Sequence, residues 1–166
     1  NALDCLKIKR IDHGVRIIED EQLVKRAAEE QIPLTMCPLS NQRLQVCPDL
    51  KNYKLKDMMD KGLLCTINSD DPSYFGGYIG DNYKAVVENL GLTKENVIQL
   101  AKNSFIATFL SEEEKKKYIE DNNAEIENGN VNIDEMLMNI LSYIQTNYPE
   151  IQIDEDYLYF CDVNQD

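Results

Sequence analysis

Three places along this chain carry residue types that could do chemistry. The densest is Leu63-Leu-Cys-Thr-Ile-Asn-Ser-Asp-Asp-Pro72, an apolar, partly β-branched run that ends in two adjacent carboxylates and a proline. Such a run predicts a buried parallel strand. Pro72 cannot continue a strand ladder, so the strand must stop there. Asp70 and Asp71 then fall at its C-terminal mouth, where α/β folds bind their ligands. Neighbouring carboxylates in a partly buried place repel each other and lose hydration. A positive group, a set of hydrogen-bond donors or a metal ion is expected to compensate them.

The second place is His13, the single histidine of the chain. It follows Arg10-Ile11-Asp12 and precedes Gly14, which puts it just at a strand terminus. A lone histidine is commonly structural. One at a strand end in register with a carboxylate pair also suits a general base or an oxyanion partner. As a metal ligand it would leave a catalytic zinc short, because one histidine and one aspartate fall below the usual three protein ligands.

The third place is Pro38-Leu39-Ser40-Asn41. Ser40 has no triad spacing and no G-x-S-x-G elbow around it, so it predicts a turn rather than a nucleophile. Asn41 either bonds a polar ligand or closes that turn. Gly76-Gly77 matches neither a phosphate-binding loop nor a dinucleotide fingerprint. It is expected to be a mobile cover near Asp70, with Tyr74, Phe75 and Tyr78 packing on a planar ligand or on the fold's edge.

The elements that must hold these residues form a series of strand–helix units. Strands are predicted at Leu6–Asp12, Leu34–Cys37 and Leu63–Asn68, separated by helical material. From His13 to Cys37 is 24 residues and from Cys37 to Asn68 is 31, spacings that suit β/α units. Asp20–Gln31 has helical periodicity through Leu23, Ala27 and Ala28, with Asp20 as N-cap. Leu55–Lys61 predicts a short helix closed by Gly62. A glycine-rich loop, Ser73–Gly80, precedes a helix over Asn82–Leu90. Thr93 caps a longer helix with Val97, Leu100, Ala101, Phe105 and Phe109 as its apolar positions. Ser111 followed by three glutamates marks one more helix start. Asn122–Asn132 has linker composition, Ile133–Tyr148 suits an amphipathic helix, and Ile151–Phe160 is an edge strand or nothing.

Charge divides the chain. Its formal net charge is −13. Residues 1–110 carry 14 basic and 15 acidic side chains, and residues 111–166 carry 3 basic and 15 acidic. The first region is a balanced globular segment, and the second is an acidic extension expected to be helical or disordered. This acidity argues against nucleic-acid backbones and anionic membranes as partners. Five cysteines without C-x-x-C spacing argue against a disulfide framework. Cys37 and Cys65 are expected to be buried. No run is long or apolar enough to span a bilayer, and the reducing cytosol is the expected setting.

Taken together, Arg10-Ile-Asp-His-Gly14, Cys37-Pro-Leu-Ser-Asn41 and Asn68-Ser-Asp-Asp-Pro-Ser-Tyr-Phe-Gly-Gly-Tyr78 resemble the metal-dependent adenosine/adenine deaminase family, in that family's order and at about its spacing. Ala101-Lys-Asn-Ser-Phe105 looks like its last barrel helix, and the PLSN and SDDP phrases look most like the adenine deaminase branch. The resemblance covers about residues 1–110. It implies an α/β fold, a TIM-type (β/α)8 barrel of which this chain supplies units six to eight, followed by the acidic extension. It also implies zinc as cofactor and hydrolytic deamination of a purine base or nucleoside, with ammonia leaving. Carried over, Asp70 would ligate zinc. His13 would orient the attacking water and help deprotonate it, and Asp71 would contact the purine ring at N7. Ser69 and Asn41 would support these residues from behind.

The chain departs from the family where its H-x-H pair and its HAGE motif should stand. It begins where the family would be just past HAGE. It is therefore expected to be the C-terminal half of a deaminase, inactive alone and a candidate to pair with the missing N-terminal half. Two other readings compete: a barrel metallohydrolase with a different amide or amidine substrate, and a non-catalytic remnant acting as a binding module.

Overall fold

The computed structural model describes residues 2–127, with side chains described through residue 120. Contacts divide the chain into two units, 1–115 and 116–166. The first unit holds a three-stranded parallel sheet in the order β1-β2-β3, with β1 at Ile11–Asp12, β2 at Leu34–Met36 and β3 at Cys65–Ile67. Asp12 lies opposite Thr35, and Thr35 opposite Thr66, so three polar residues share one level of the sheet. Helices follow each strand, as parallel crossovers require. The result is an α/β arrangement consistent with part of a (β/α) barrel.

Helix α1 spans Glu21–Glu29. Asp20 caps it as expected, accepting from the backbone of Gln22 and Leu23, both at 3.0 Å. Helix α2 spans Pro38–Arg43 and α3 spans Leu55–Asp60, the latter ending at Gly62 in the left-handed region. Helices α4 (Pro72–Phe75), α5 (Ile79–Leu90) and α6 (Lys94–Ile106) follow β3. Helix α7 spans Glu112–Glu127. No described helix is long and apolar enough to cross a membrane.

The core lies between sheet and helices. Leu34, Met36 and Cys65 from the strands meet Leu55, Met58, Val86 and Leu100 from the helices, and all seven are fully buried. Asn103 of α6 is buried too. Its Nδ2 donates to the Cys65 carbonyl at 2.7 Å, satisfying a polar group on the sheet.

Several expectations are corrected. The first strand is shorter than predicted: Leu6 ends a π-helical turn and Lys7 takes φ 50°, outside the extended region, so pairing begins only at Ile11. Pro38-Leu-Ser-Asn is no free turn but the start of α2, with Pro38 in the first turn where its missing N–H costs nothing. Of the predicted glycine-rich loop only residues 76–78 lie outside helices, the rest falling in α4 and α5. Helix α6 stops at Ile106, so Phe109 leaves the apolar face and is 74% exposed, under the guanidinium of Arg10 at 4.9 Å. Residues 122–127 of the expected linker are helical. The predicted helix at Ile133–Tyr148 and strand at Ile151–Phe160 lie outside the described residues.

Candidate active site

All three chemically loaded sequences meet at the C-terminal ends of the strands. At the end of β1, His13 still belongs to the ladder, its N–H donating to the Thr35 carbonyl at 3.0 Å. The chain then turns sharply, with His13 at φ 61° and Gly14 at φ 69°. A side chain at Gly14 would meet Leu34 Cδ2 at 2.7 Å, so this turn needs glycine for space as well as for φ.

At the end of β2, the N-terminal turn of α2 carries Ser40 and Asn41, both buried. Cys37 offers this helix no cap. The exposed N–H of Leu39 is instead satisfied by Asn82 Oδ1 of α5, at 3.1 Å. The Asn82 amide also donates to the Tyr78 carbonyl at 2.8 Å. One buried side chain thus ties α2 to the turn before α5. In that turn Gly77 is buried against Leu39, which leaves no room for a Cβ. The expected mobile cover is a packed connection at this residue.

At the end of β3, Asn68 makes the last rung, donating to the Met36 carbonyl at 2.8 Å. Asp70 then adopts φ 60°. Asp71 becomes the N-cap of α4, its Oδ1 accepting from the Tyr74 N–H at 3.3 Å, and Pro72 opens the helix. Aspartate is among the few residues that tolerate the left-handed region.

These backbones bring His13 Nε2 to 3.6 Å from Asp70 Oδ2. The same Asp70 oxygen accepts from the Ser40 hydroxyl at 2.7 Å. Behind His13, Asn41 Nδ2 lies 3.3 Å from Nδ1, and the Tyr53 hydroxyl donates to Asn41 Oδ1 at 2.7 Å. Four segments therefore converge on one imidazole–carboxylate pair.

Donor atoms of His13, Cys37 and Asp70 lie within 4.8 Å of one another, the one such group among the described residues. Their chemistry differs. The His13 and Asp70 side chains are 39% and 29% exposed, open to an incoming ion. Cys37 is buried, and its thiol donates to the Thr35 carbonyl at 3.3 Å. Burial, then the charges of Asp70 and Asp12, push that thiol up to about 12, so it stays protonated and turned to the backbone. An oxygen and a nitrogen donor remain, a pair that suits a borderline divalent cation such as zinc.

Residues 1–124 match the family model described as adenosine deaminase. The chain belongs to the adenosine deaminase family. Within it, the likeness is to the adenine deaminase branch. The chain is 55% identical over 114 residues to the adenine deaminase of Streptomyces coelicolor, across 69% of this chain and 34% of that protein. It is 54% identical over 119 residues to the adenine deaminase of Zymomonas mobilis, across 72% of this chain and 35% of that protein. Among solved structures, the adenine deaminase from Arthrobacter aurescens superposes with a TM-score of 0.72 at 41% identity, over 76% of this chain and 38% of that one. An amidohydrolase from Burkholderia ambifaria with bound Zn gives 0.65 at 25% identity, over 70% and 33%. The chain spans about a third of the length of the curated relatives it matches.

At these strand ends the structure joins His13, Asn41 and Asp70 directly. Asp71 faces solvent beside them, and neither aspartate is as enclosed as the sequence suggested. Ser69 is half-buried, and among the described residues the hydroxyl bonded to Asp70 is that of Ser40. Sequence reasoning treated Ser40 as a turn residue and passed over Tyr53. The signal for Ser40 was its place beside Asn41 at a strand end. Tyr53 offered none, because its loop lies 12 residues beyond the Asn41 it bonds.

Proposed function

We propose that this chain carries part of the active site of an adenine deaminase, which hydrolyses adenine to hypoxanthine and releases ammonia. The observation that carries this reading is the convergence of His13 and Asp70 to 3.6 Å at the ends of separate strands, on a chain of the adenine deaminase branch. Residues 1–110 would form the barrel segment and 111–166 an acidic extension.

Zinc fits the donors present, and Asp70 would hold it. When bound, the ion supplies an activated water for attack on the purine amidine carbon. Zinc takes about four ligands. This site offers the Asp70 carboxylate as one ligand, so the others would come from elsewhere in a complete barrel. His13, opposite Asp70, would orient the attacking water. Ser40 holds one Asp70 oxygen, which leaves the other free to meet a cation. Asp71 would bind purine N7, where a hydrogen bond forms only if carboxyl or ring carries the proton. Asn41 and Ser69 would support these groups. The 166-residue chain by itself is expected to bind zinc weakly and to deaminate nothing.

The test is a chimera in which residues 1–110 replace the matching segment of the Streptomyces coelicolor adenine deaminase. Ammonia release from adenine and from adenosine is measured. Adenine turnover that disappears in the Asp70→Ala chimera supports the proposal. A folded, zinc-loaded chimera that leaves adenine untouched sinks it.

A further inference from the structure

We propose that Tyr53, acting through Asn41, fixes the tautomer of His13, so that the ring keeps its proton on Nε2 and presents a donor toward Asp70. Tyr53 and Asn41 are each only 3% exposed, so their polar atoms must find partners within the protein. The phenol has one proton to give, and its acceptor is Asn41 Oδ1 at 2.7 Å. That contact orients the amide, whose two ends are otherwise alike in shape. With Oδ1 engaged, Nδ2 faces His13 Nδ1 at 3.3 Å. An amide nitrogen only donates, so Nδ1 must accept. A neutral imidazole that accepts at Nδ1 carries its proton on Nε2.

The opposite orientation would leave the buried Tyr53 proton facing Asn41 Nδ2, itself a donor. The Asn41 backbone is held as well, its N–H donating to the Cys37 carbonyl and its carbonyl accepting from Val46, both at 2.9 Å. Burial pushes the Tyr53 phenol up, which keeps it a donor. Donation thus runs one way, from Tyr53 to Asn41 to His13, whose Nε2 faces an Asp70 oxygen already accepting from Ser40. The catalytic meaning rests on the deaminase reading: His13 enters the reaction as a hydrogen-bond donor to the attacking oxygen, not as the acceptor of its proton. Asn41 and Tyr53 are positioning residues.

The chain has one histidine, so its ring nitrogens give one assignable pair of NMR signals. In the ¹⁵N-histidine-labelled chain, at a pH where the ring is neutral, Nδ1 should show the shift of an unprotonated nitrogen and Nε2 that of a protonated one. Asn41→Asp puts an acceptor in the same place and should exchange the two signals. Tyr53→Phe frees the amide and should draw the two shifts toward each other. A proton on Nδ1 in the wild-type chain, or an unchanged pattern in Asn41→Asp, overturns the proposal. No zinc or substrate enters this measurement. An inactive chimera would therefore refute the deaminase reading while leaving the tautomer assignment standing.

Discussion

The rim at the strand ends and the layer of helices behind the sheet are built on different principles. In the layer, position follows from volume. Leu34, Leu55, Met58, Val86 and Leu100 are fully buried apolar side chains, and each fits because its neighbours leave it one space. In the rim, position follows from direction. His13 and Asp70 sit at φ 61° and 60°, and hydrogen bonds from Ser40 and Asn41 aim them. Left-handed backbone costs a residue with a Cβ about 1–2 kcal/mol, so the rim draws on stability that the layer supplies. A packed layer tolerates exchange of one apolar group for another, whereas a directional rim does not.

The largest expected effect breaks the rim alone. Asp70→Ala in the chimera should lower adenine turnover by at least about 10³-fold, roughly 4 kcal/mol of catalysis, while stability falls only by the about 1–3 kcal/mol that the orphaned Ser40 donor costs. A comparable loss of midpoint would mean that Asp70 belongs to the layer in function as well as in contact. Next comes the reverse experiment. Leu100→Ala should cost about 2–5 kcal/mol in denaturant unfolding, the range for an emptied buried leucine site. The His13 ring signals should nevertheless keep their pattern in whatever fraction remains folded. Gly77→Ala lies between the regions. Its new Cβ would strike the end of the Leu39 side chain and crowd Asp81 Cβ at 3.2 Å, so Leu39 must leave its rotamer, at a cost of about 0.5–1.5 kcal/mol.

The layer was largely legible in the sequence, and the rim only in part. Asp20, Thr93 and Gly62 announced helix ends, because caps act over three or four residues. Val97, Leu100 and Ala101 announced a buried face, because helical periodicity is local. Asp70 and His13 were visible because each ends a strand-like run. Their support was not. Tyr53 reaches Asn41 and Asn82 reaches Leu39 across separate elements, and sequence spacing carries no trace of either contact. Phe109 shows the opposite failure: its spacing continues the α6 stripe, but the helix stops before it.

Alkali should test how well both regions are enclosed. Burial raises the Cys37 and Cys65 thiols from an ordinary 9.0 to about 12. The unfolded chain gives up these protons first. Their contribution is therefore full below pH 9 and fades as pH climbs through 12. Between pH 7 and pH 9 the unfolding midpoint should hardly fall, and above pH 9 it should fall steadily. A midpoint that stays level as pH rises from 9 to 12 would mean that these thiols are not enclosed.

The smallest effect separates backbone strain from hydrogen bonding. Gln45 sits at φ 61° just past α2, where the Val46 N–H bonds the Asn41 carbonyl at 2.9 Å in a left-handed helix ending. It is exposed and outside the imidazole–carboxylate pair. Gln45→Gly should therefore stabilise the chain by about 0.5–1 kcal/mol, because glycine holds that φ without penalty. Asp70→Gly relieves the same strain at φ 60° but removes the acceptor of the fully buried Ser40 hydroxyl. An unsatisfied buried donor costs about 1–3 kcal/mol, so this variant should gain nothing or lose stability. The difference between the two midpoints measures what the Asp70 side chain gains from Ser40 and His13 with backbone strain cancelled. Equal gains from both glycines would show that these contacts contribute no stability and that Asp70 is held by its backbone alone.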